Sequence, residues 1–140
     1  MSHLSAKVDY ACRAILELAL HWPNVEPMQV NEIARRQQIP LKFLPHILLH
    51  LKDLGYVEST RGKSGGYRLK VSPREIQLGK IFFAFNGGEF IDRPSSKSRY
   101  AMDLVWQDIN KTISESMEKL NFEVISDRAR KNNQSLMFEI

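Results

Sequence analysis

Cysteine is almost absent from this 140-residue chain: Cys12 is the only one. A single thiol makes neither an internal disulfide nor a cysteine-rich metal centre, and the cytoplasm is the compartment that such usage fits. Long apolar runs are missing too. None approaches the roughly 18–20 residues that cross a bilayer, so no membrane partner is expected. The opening stretch from Met1 to Lys7 lacks the basic-then-apolar pattern of a secretory signal. Glycine and proline number only seven and six, which speaks against a disordered chain. No P-loop, dinucleotide glycine fingerprint, nucleophile elbow or metal-ligand cluster is found, and an enzyme is not expected. Gly62-Lys63-Ser64 imitates the end of a P-loop, but Val57 stands where the upstream glycine is required. His46 and His50 stand four apart, at metal-ligand spacing but with no third ligand nearby.

Charge is present, and it is unevenly placed. The formal net charge is +4. Residues 1–90 hold twelve Lys/Arg against eight Asp/Glu, whereas 91–140 hold eight of each, so the whole excess lies in the first part. Between Thr60 and Arg74, five cations (Arg61, Lys63, Arg68, Lys70 and Arg74) occur without an acid. Such a stripe attracts phosphate, or is simply a solvated basic loop.

The apolar spacing predicts mostly helix. Ser5 reads as an N-cap for a helix carrying Val8, Ala11, Cys12, Ile15, Leu18 and Ala19, which stops before Pro23. A short second helix is predicted over about Gln29–Gln37, then a break at Gln38-Ile39-Pro40. A third helix is predicted over about Leu41–Leu54, closed by Gly55. Leu44, Ile47, Leu48, Leu51 and Leu54 fall on its core side, and Lys42, His46, Leu49 and Asp53 on the other. Pro45 removes a hydrogen bond, so this helix should start late or run irregularly over Leu41–Leu44. Tyr56–Thr60 and Tyr67–Val71 alternate as strands around Gly62-Lys63-Ser64-Gly65-Gly66, a hairpin with a basic tip.

Ile76, Leu78, Ile81, Phe82 and Phe85 predict a fourth helix, ended by Asn86-Gly87-Gly88, and 89–98 read as a loop. A long amphipathic helix is predicted from about Arg99 to Leu120. Met102, Val105, Trp106, Ile109, Ile113, Met117 and Leu120 form its stripe. A short helix is predicted near Val124-Ile125, then a polar, mobile stretch at Asn132-Asn133-Gln134 and an apolar end that docks. The fold class is therefore mainly α with a small β-hairpin wing. Its division is 1–88 for a winged helix-turn-helix, 89–98 for a linker, 99–131 for dimerisation helices and 132–140 for a tail.

Two short helices joined by a tight turn and followed by a basic hairpin make a winged helix-turn-helix. A helix fits the major groove, where base edges are distinguishable, and the third helix would be the reader. The hairpin tip would reach backbone or minor groove, and glycine there permits a sharp turn and close approach to phosphate.

Five blocks carry a resemblance to the Rrf2 family of bacterial winged-helix regulators. They are Leu4-Ser5 with Lys7 and Tyr10-Ala11; Glu32-Ile33-Ala34-Arg35-Arg36-Gln37; Phe43-Leu44 leading to Leu51-Lys52-Asp53-Leu54-Gly55-Tyr56-Val57; the wing Arg61-Gly62-Lys63-Ser64-Gly65-Gly66-Tyr67-Arg68-Leu69; and Ile76-Gln77-Leu78-Gly79-Lys80-Ile81. The long helix around Trp106 also fits. The resemblance implies a transcription regulator acting on double-stranded DNA as a homodimer clasped through that helix, although the same stripe could bury itself within one subunit. Two-fold symmetry implies a roughly palindromic site, with half-sites about 34–36 Å apart or a multiple of that. The resemblance places Arg61 at the wing arginine, Lys63 and Ser64 at wing phosphate contacts, and Ser5 and Lys7 near the backbone. Lys42 and His46 are the polar groups expected at the major groove, and Leu49 could touch a thymine methyl. Arg68 is either a phosphate contact or a solvated strand residue. The other reading is a winged-helix module that docks proteins, for which Leu49 would centre an exposed apolar patch.

The chain departs from the family in two places. Many members hold an iron–sulfur cluster through three cysteines before the long helix. Here Ile91–Tyr100 contains none, and Asp103 stands where some members have a histidine ligand. No cofactor is therefore expected, and Cys12 reads as a buried structural thiol rather than a cluster ligand shared between subunits. Members without the triad respond to a protein or small-molecule effector, and this chain belongs with those or has no effector. Pro45-His46 replaces an acidic residue and a glutamine of the cluster-binding members, so their base preferences do not transfer.

Overall fold

A computed structural model of the chain describes residues 4–23, 26–91 and 100–139, with side chains up to Asn133. Ser5 caps the first helix, α1 (Ala6–Leu20), by accepting the Val8 N–H on its Oγ at 3.2 Å. This pairs a donor that the first turn would otherwise leave unsatisfied. Val8, Ala11, Ala14, Ile15, Leu18 and Ala19 put one face of α1 into the core. α1 is the hub of the fold, packed against the helices that follow and against the wing.

The second helix, α2 (Val30–Gln37), ends where Gln38 turns left-handed at φ 54°. The chain then turns through Pro40, and α3 (Leu44–Asp53) begins with Pro45 in its first turn. Proline is harmless there, because its missing N–H would have had no helical partner. Leu41, Lys42 and Phe43 therefore form a turn rather than the start of the helix, the late start that Pro45 requires. Leu44, Ile47, Leu48 and Leu51 are buried, but Leu54 is exposed. The helix stops at Asp53, so the core stripe ends one turn earlier than its spacing predicts.

The wing strands are β1 (Val57–Thr60) and β2 (Gly66–Leu69), antiparallel, with Glu58 opposite Arg68 and Ser59 opposite Tyr67. Tyr56, Lys70 and Val71 lie outside the ladder. Met28 adds a bridge on the far side of β2, where it and Tyr67 exchange N–H···O bonds of 2.8 Å each way. The wing is thereby stitched to the segment that leads into α2.

Ser72 caps a 3-10 turn over Pro73–Glu75. Ile76 is extended rather than helical, because Gln77 bridges Asn121. The Leu78 N–H bonds the Leu120 carbonyl at 3.0 Å, and the Phe122 N–H bonds the Ile76 carbonyl at 3.1 Å. The next helix, α4 (Leu78–Asn86), closes on Gly87 at φ 76°. From 92 to 98 the expected loop lies outside the described residues.

The long helix is α5 (Ala101–Glu118), and Leu120 lies just beyond it. The last helix is not short: α6 runs from Phe122 to Glu139, so Asn132-Asn133-Gln134 is helical. None of these three residues breaks a helix once packing holds its first turns, and Phe122 and Ser126 are buried against the core. The expected docking of Leu136–Ile140 rests on side chains outside the described residues. No described helix is long and apolar enough to cross a membrane.

Candidate nucleic-acid interface

A cation is available to phosphate only if no carboxylate within the protein holds it. Arg13 pairs with Asp9 at 2.8 Å, and Arg130 with Asp127 at 3.1 Å. Arg35 and Arg36 both reach Glu32 at 2.7 Å. Their hydrogen bonds, that of Arg35 foremost, hold the Glu32 carboxyl below its ordinary range. Across the hairpin, Arg68 Nε meets Glu58 Oε1 at 2.7 Å, which makes it first a cross-strand partner. Lys42, Arg61 and Lys63 are exposed and, among the described residues, stand in no ion pair. Uncommitted positive charge is thus present on the turn before α3 and on the wing tip, as it also is at other described cations such as Lys70, Arg74, Lys80 and Lys111.

The wing is held in place from behind. Gln29 Nε2 donates to the Lys63 carbonyl at 2.9 Å, and the Gly65 N–H bonds the Gly62 carbonyl at 3.0 Å. A methyl on Gly65 would collide with the Thr60 carbonyl, and one on Gly66 with the Met28 carbonyl. Both glycines therefore serve the wing's own backbone packing, a role that the glycine-rich turn alone did not reveal. Ser64 is exposed beside them.

His46 is exposed on α3, and it shares a cleft with Lys7 and Tyr10 of α1 and with Phe43. The fold thus brings together two of the expected contacts, Lys7 and His46, from distant parts of the chain. Lys42 Nζ sits 4.9 Å from the Phe43 ring centre, and Lys7 Nζ 5.9 Å from that of Phe85. Ser5 is half-buried and its oxygen is occupied by the Val8 amide, which leaves its hydroxyl proton to donate. Leu49 is exposed. His50, by contrast, packs on Phe85 with ring centres 4.5 Å apart, and among the described residues no metal-ligand group of three forms.

Two positions that the sequence reasoning missed set the geometry. Gln29 gives no pattern in the sequence, because its partner is 34 residues away. Glu17, 4% exposed, accepts from Gln37 Nε2 at 2.9 Å, lies 2.9 Å from His21 Nε2 and 3.7 Å from Arg36. It locks α1 to the end of α2 and so orients the pair of helices that carries α3.

On α5, Met102, Val105, Trp106 and Ile109 are exposed, as is Leu104, whereas Ile113, Met117 and Leu120 are half-buried. The stripe is therefore divided, its first half bare and its second half turned toward the body of the subunit, where Met117 packs on the core. Asn110 is the only buried residue of the helix. It accepts the Ile91 N–H at 2.9 Å and donates to Glu89 Oε2 at 2.7 Å and to the Ile91 carbonyl at 3.0 Å.

A family model described as "Rrf2: Iron-dependent Transcriptional regulator" matches residues 4–128. An rrf2-like HTH-type transcriptional regulator of Rhodobacter capsulatus is 40% identical over 86 residues, 60% of this chain and 57% of that protein. The HTH-type transcriptional regulator IscR of Aliivibrio salmonicida is 31% identical over 124 residues, 84% of this chain and 73% of the other. The matches span little more than half the length of the Rhodobacter protein and of a Synechocystis HTH-type regulator, 57% and 54%. Among solved structures, CymR, the global cysteine regulator of B. subtilis, superposes with a TM-score of 0.81 over 91% of this chain and 98% of that one. At 24% identity it shows the fold. IscR of T. potens gives a TM-score of 0.76 at 27% identity over 91% and 88%. These neighbours and the arrangement of α2, α3 and hairpin make the fold a winged helix-turn-helix.

The family description names iron, and the donor set here does not fit a thiolate-held cluster. The one thiol, Cys12, is half-buried beside the core rather than fully buried as expected. Its desolvation there, reinforced by Asp9, pushes it up to about 12, so it stays protonated at neutral pH.

Proposed function

The chain belongs to the Rrf2 family of transcriptional regulators, and from that premise we propose that it binds specific DNA as a homodimer on a roughly palindromic operator. It acts as a regulator and not as an enzyme. The observation that carries this reading is the placement of unpaired cations. Among the described residues, Lys42, Arg61 and Lys63 are exposed without carboxylate partners on the turn before α3 and on the wing tip, while Arg13, Arg35, Arg36, Arg68 and Arg130 are tied to acids. Arg74, Arg128 and other lysines are unpaired as well, so it is the position of these three beside α3 and the hairpin that supports the reading.

In this reading α3 enters the major groove, with Lys42 and His46 at its leading end and Leu49 toward a thymine methyl. The wing lays Arg61 on the minor groove or backbone, supported by Lys63 and Ser64. Ser5 and Lys7 meet backbone phosphate beside α3. Arg68 acts through Glu58 to stiffen the hairpin. Residues 1–88 form the DNA-facing unit and α5 the dimer contact, while α6, packed on α1, belongs mechanically to the first. Cytoplasmic location follows from acting on the genome. Any effector would be a protein or a small molecule rather than an iron–sulfur cluster.

Selection of bound genomic fragments, followed by a gel shift at stated salt, tests the reading. Arg61→Ala should weaken specific binding by about 1–3 kcal/mol if the side chain reads bases or groove width. If it only neutralises a phosphate, the salt slope should fall by about one. Unchanged affinity and unchanged slope would remove the wing from the interface. Failure to retain any fragment, together with a protein captured through the face around Leu49, would favour the protein-docking module instead.

A further inference from the structure

The cleft between α1 and the start of α3 has a chemistry that backbone contact does not use. Ala6, Lys7 and Tyr10 on one wall and Phe43, His46 and Ile47 on the other line a half-open groove of about 370 Å³. That volume lies within the range of small-molecule sites. The walls are chiefly apolar. The Tyr10 and Phe43 rings stand 6.0 Å apart at 20° to one another, and Phe43 is exposed along with the nearby Leu41. The part of the Phe43 ring not covered by Tyr10 is thus left open to a partner in the turn ahead of α3. Two lysines stand at its edge: Lys7 lines it, with its Nζ 5.9 Å from the Phe85 ring centre, and Lys42, just outside the lining, has its Nζ 4.9 Å from the centre of the Phe43 ring. No carboxylate lines it.

A flat apolar body bearing one negative charge complements this arrangement. We propose that the cleft is an effector site for a small aromatic carboxylate, its ring against Phe43 and Tyr10 and its carboxylate toward Lys7 and Lys42. Lys7 and His46 form its walls, so an occupied cleft and a bound duplex exclude each other. Only this second part rests on the DNA-binding reading.

Calorimetry on the full chain without DNA tests the site, with 2-naphthoate as the probe and the neutral 2-naphthalenemethanol as its control. Two exposed ion pairs should make the acid bind about fivefold tighter than the alcohol, and added salt should shrink that gap. Phe43→Ala should weaken both ligands by roughly tenfold through the lost ring contact. The double variant Lys7→Gln, Lys42→Gln should erase the preference for the acid while sparing the alcohol, and it keeps the test decisive if Phe43→Ala misfolds. No heat from either compound, equal affinities in the wild type, or binding untouched by Phe43→Ala would overturn the site. In a gel shift, 2-naphthoate should release DNA from the wild type. Ternary complexes would overturn the exclusion, and a thymine methyl of the operator would then be the occupant to consider. Uptake of 2-naphthoate by a chain that retains no DNA would support the site and reject the function proposed above.

Discussion

Gly66 illustrates how a residue's role depends on a neighbour remote in sequence. Its φ is 149°, and a side chain there would run into the Met28 carbonyl. The hairpin motif announces glycine at this position, but the reason is the bridge between Met28 and Tyr67, which no local pattern encodes. Gly66→Ala should cost about 1–3 kcal/mol in urea unfolding and loosen the wing, read as faster exchange of the Tyr67 amide. An unchanged midpoint would mean that the bridge is dispensable. Cys12 carries a pH signature. Its thiol pKa is pushed up to about 12 from 9.0, chiefly by burial. Above pH 9 the unfolded chain releases a proton that the folded one keeps. The stability Cys12 contributes is therefore whole below pH 9 and drains away as pH rises toward 12, by about 1.4 kcal/mol per unit. Urea unfolding of the wild type and Cys12→Ala between pH 8 and 10.5 should show their difference constant at first and changing above pH 9. A difference that stays flat would place the thiol in contact with water.

At the scale of elements, the legible parts were those with local causes. Ser5 capped α1, Gly87 closed α4, and Pro45 delayed α3 as its missing N–H demands. The parts that were not legible have tertiary causes. Ile76 has apolar helical spacing yet is extended, because Asn121 pairs with its neighbour. Asn132-Asn133-Gln134 is polar enough to read as a mobile stretch after a short helix, but Phe122 and Ser126 anchor the start of α6 and the helix continues through it. The interface followed the same rule. Cations were visible as residue types, whereas their partners, such as Glu58 for Arg68, depended on strand register. Asn110 looked like one more polar residue on α5, and it pairs both polar groups of the Ile91 backbone. Asn110→Ala leaves those groups without that partner and should cost about 1–3 kcal/mol in thermal or urea unfolding, with accelerated exchange at Ile91. If Asn110→Ala is neutral, water replaces the amide and the clamp is not what fixes α4 to α5.

For the whole molecule, the division of charge and of apolar surface point to the same organisation. The excess positive charge lies in residues 1–90, while bare apolar surface runs along the first half of α5. The first half of α5 buries none of its apolar residues in its own subunit and gains little from it. Met102 is 55% exposed and Val105 45%, with Leu104, Trp106 and Ile109 beside them. A second copy of the chain would cover this face, and covering it would set two α3 helices at a fixed separation. Linking two weak half-site contacts makes the second intramolecular, which raises affinity by about 100-fold or more without any new contact. Trp106→Glu should therefore shift the sedimenting species from dimer to monomer and leave the melting of the wing and core unaltered. It should weaken binding to a two-half-site fragment by about 100-fold while scarcely changing binding to a single half-site. A wild-type chain that sediments as a monomer, or a Trp106→Glu variant that stays dimeric with full affinity, would leave the bare face of α5 unexplained and remove the symmetry from which the operator spacing is argued.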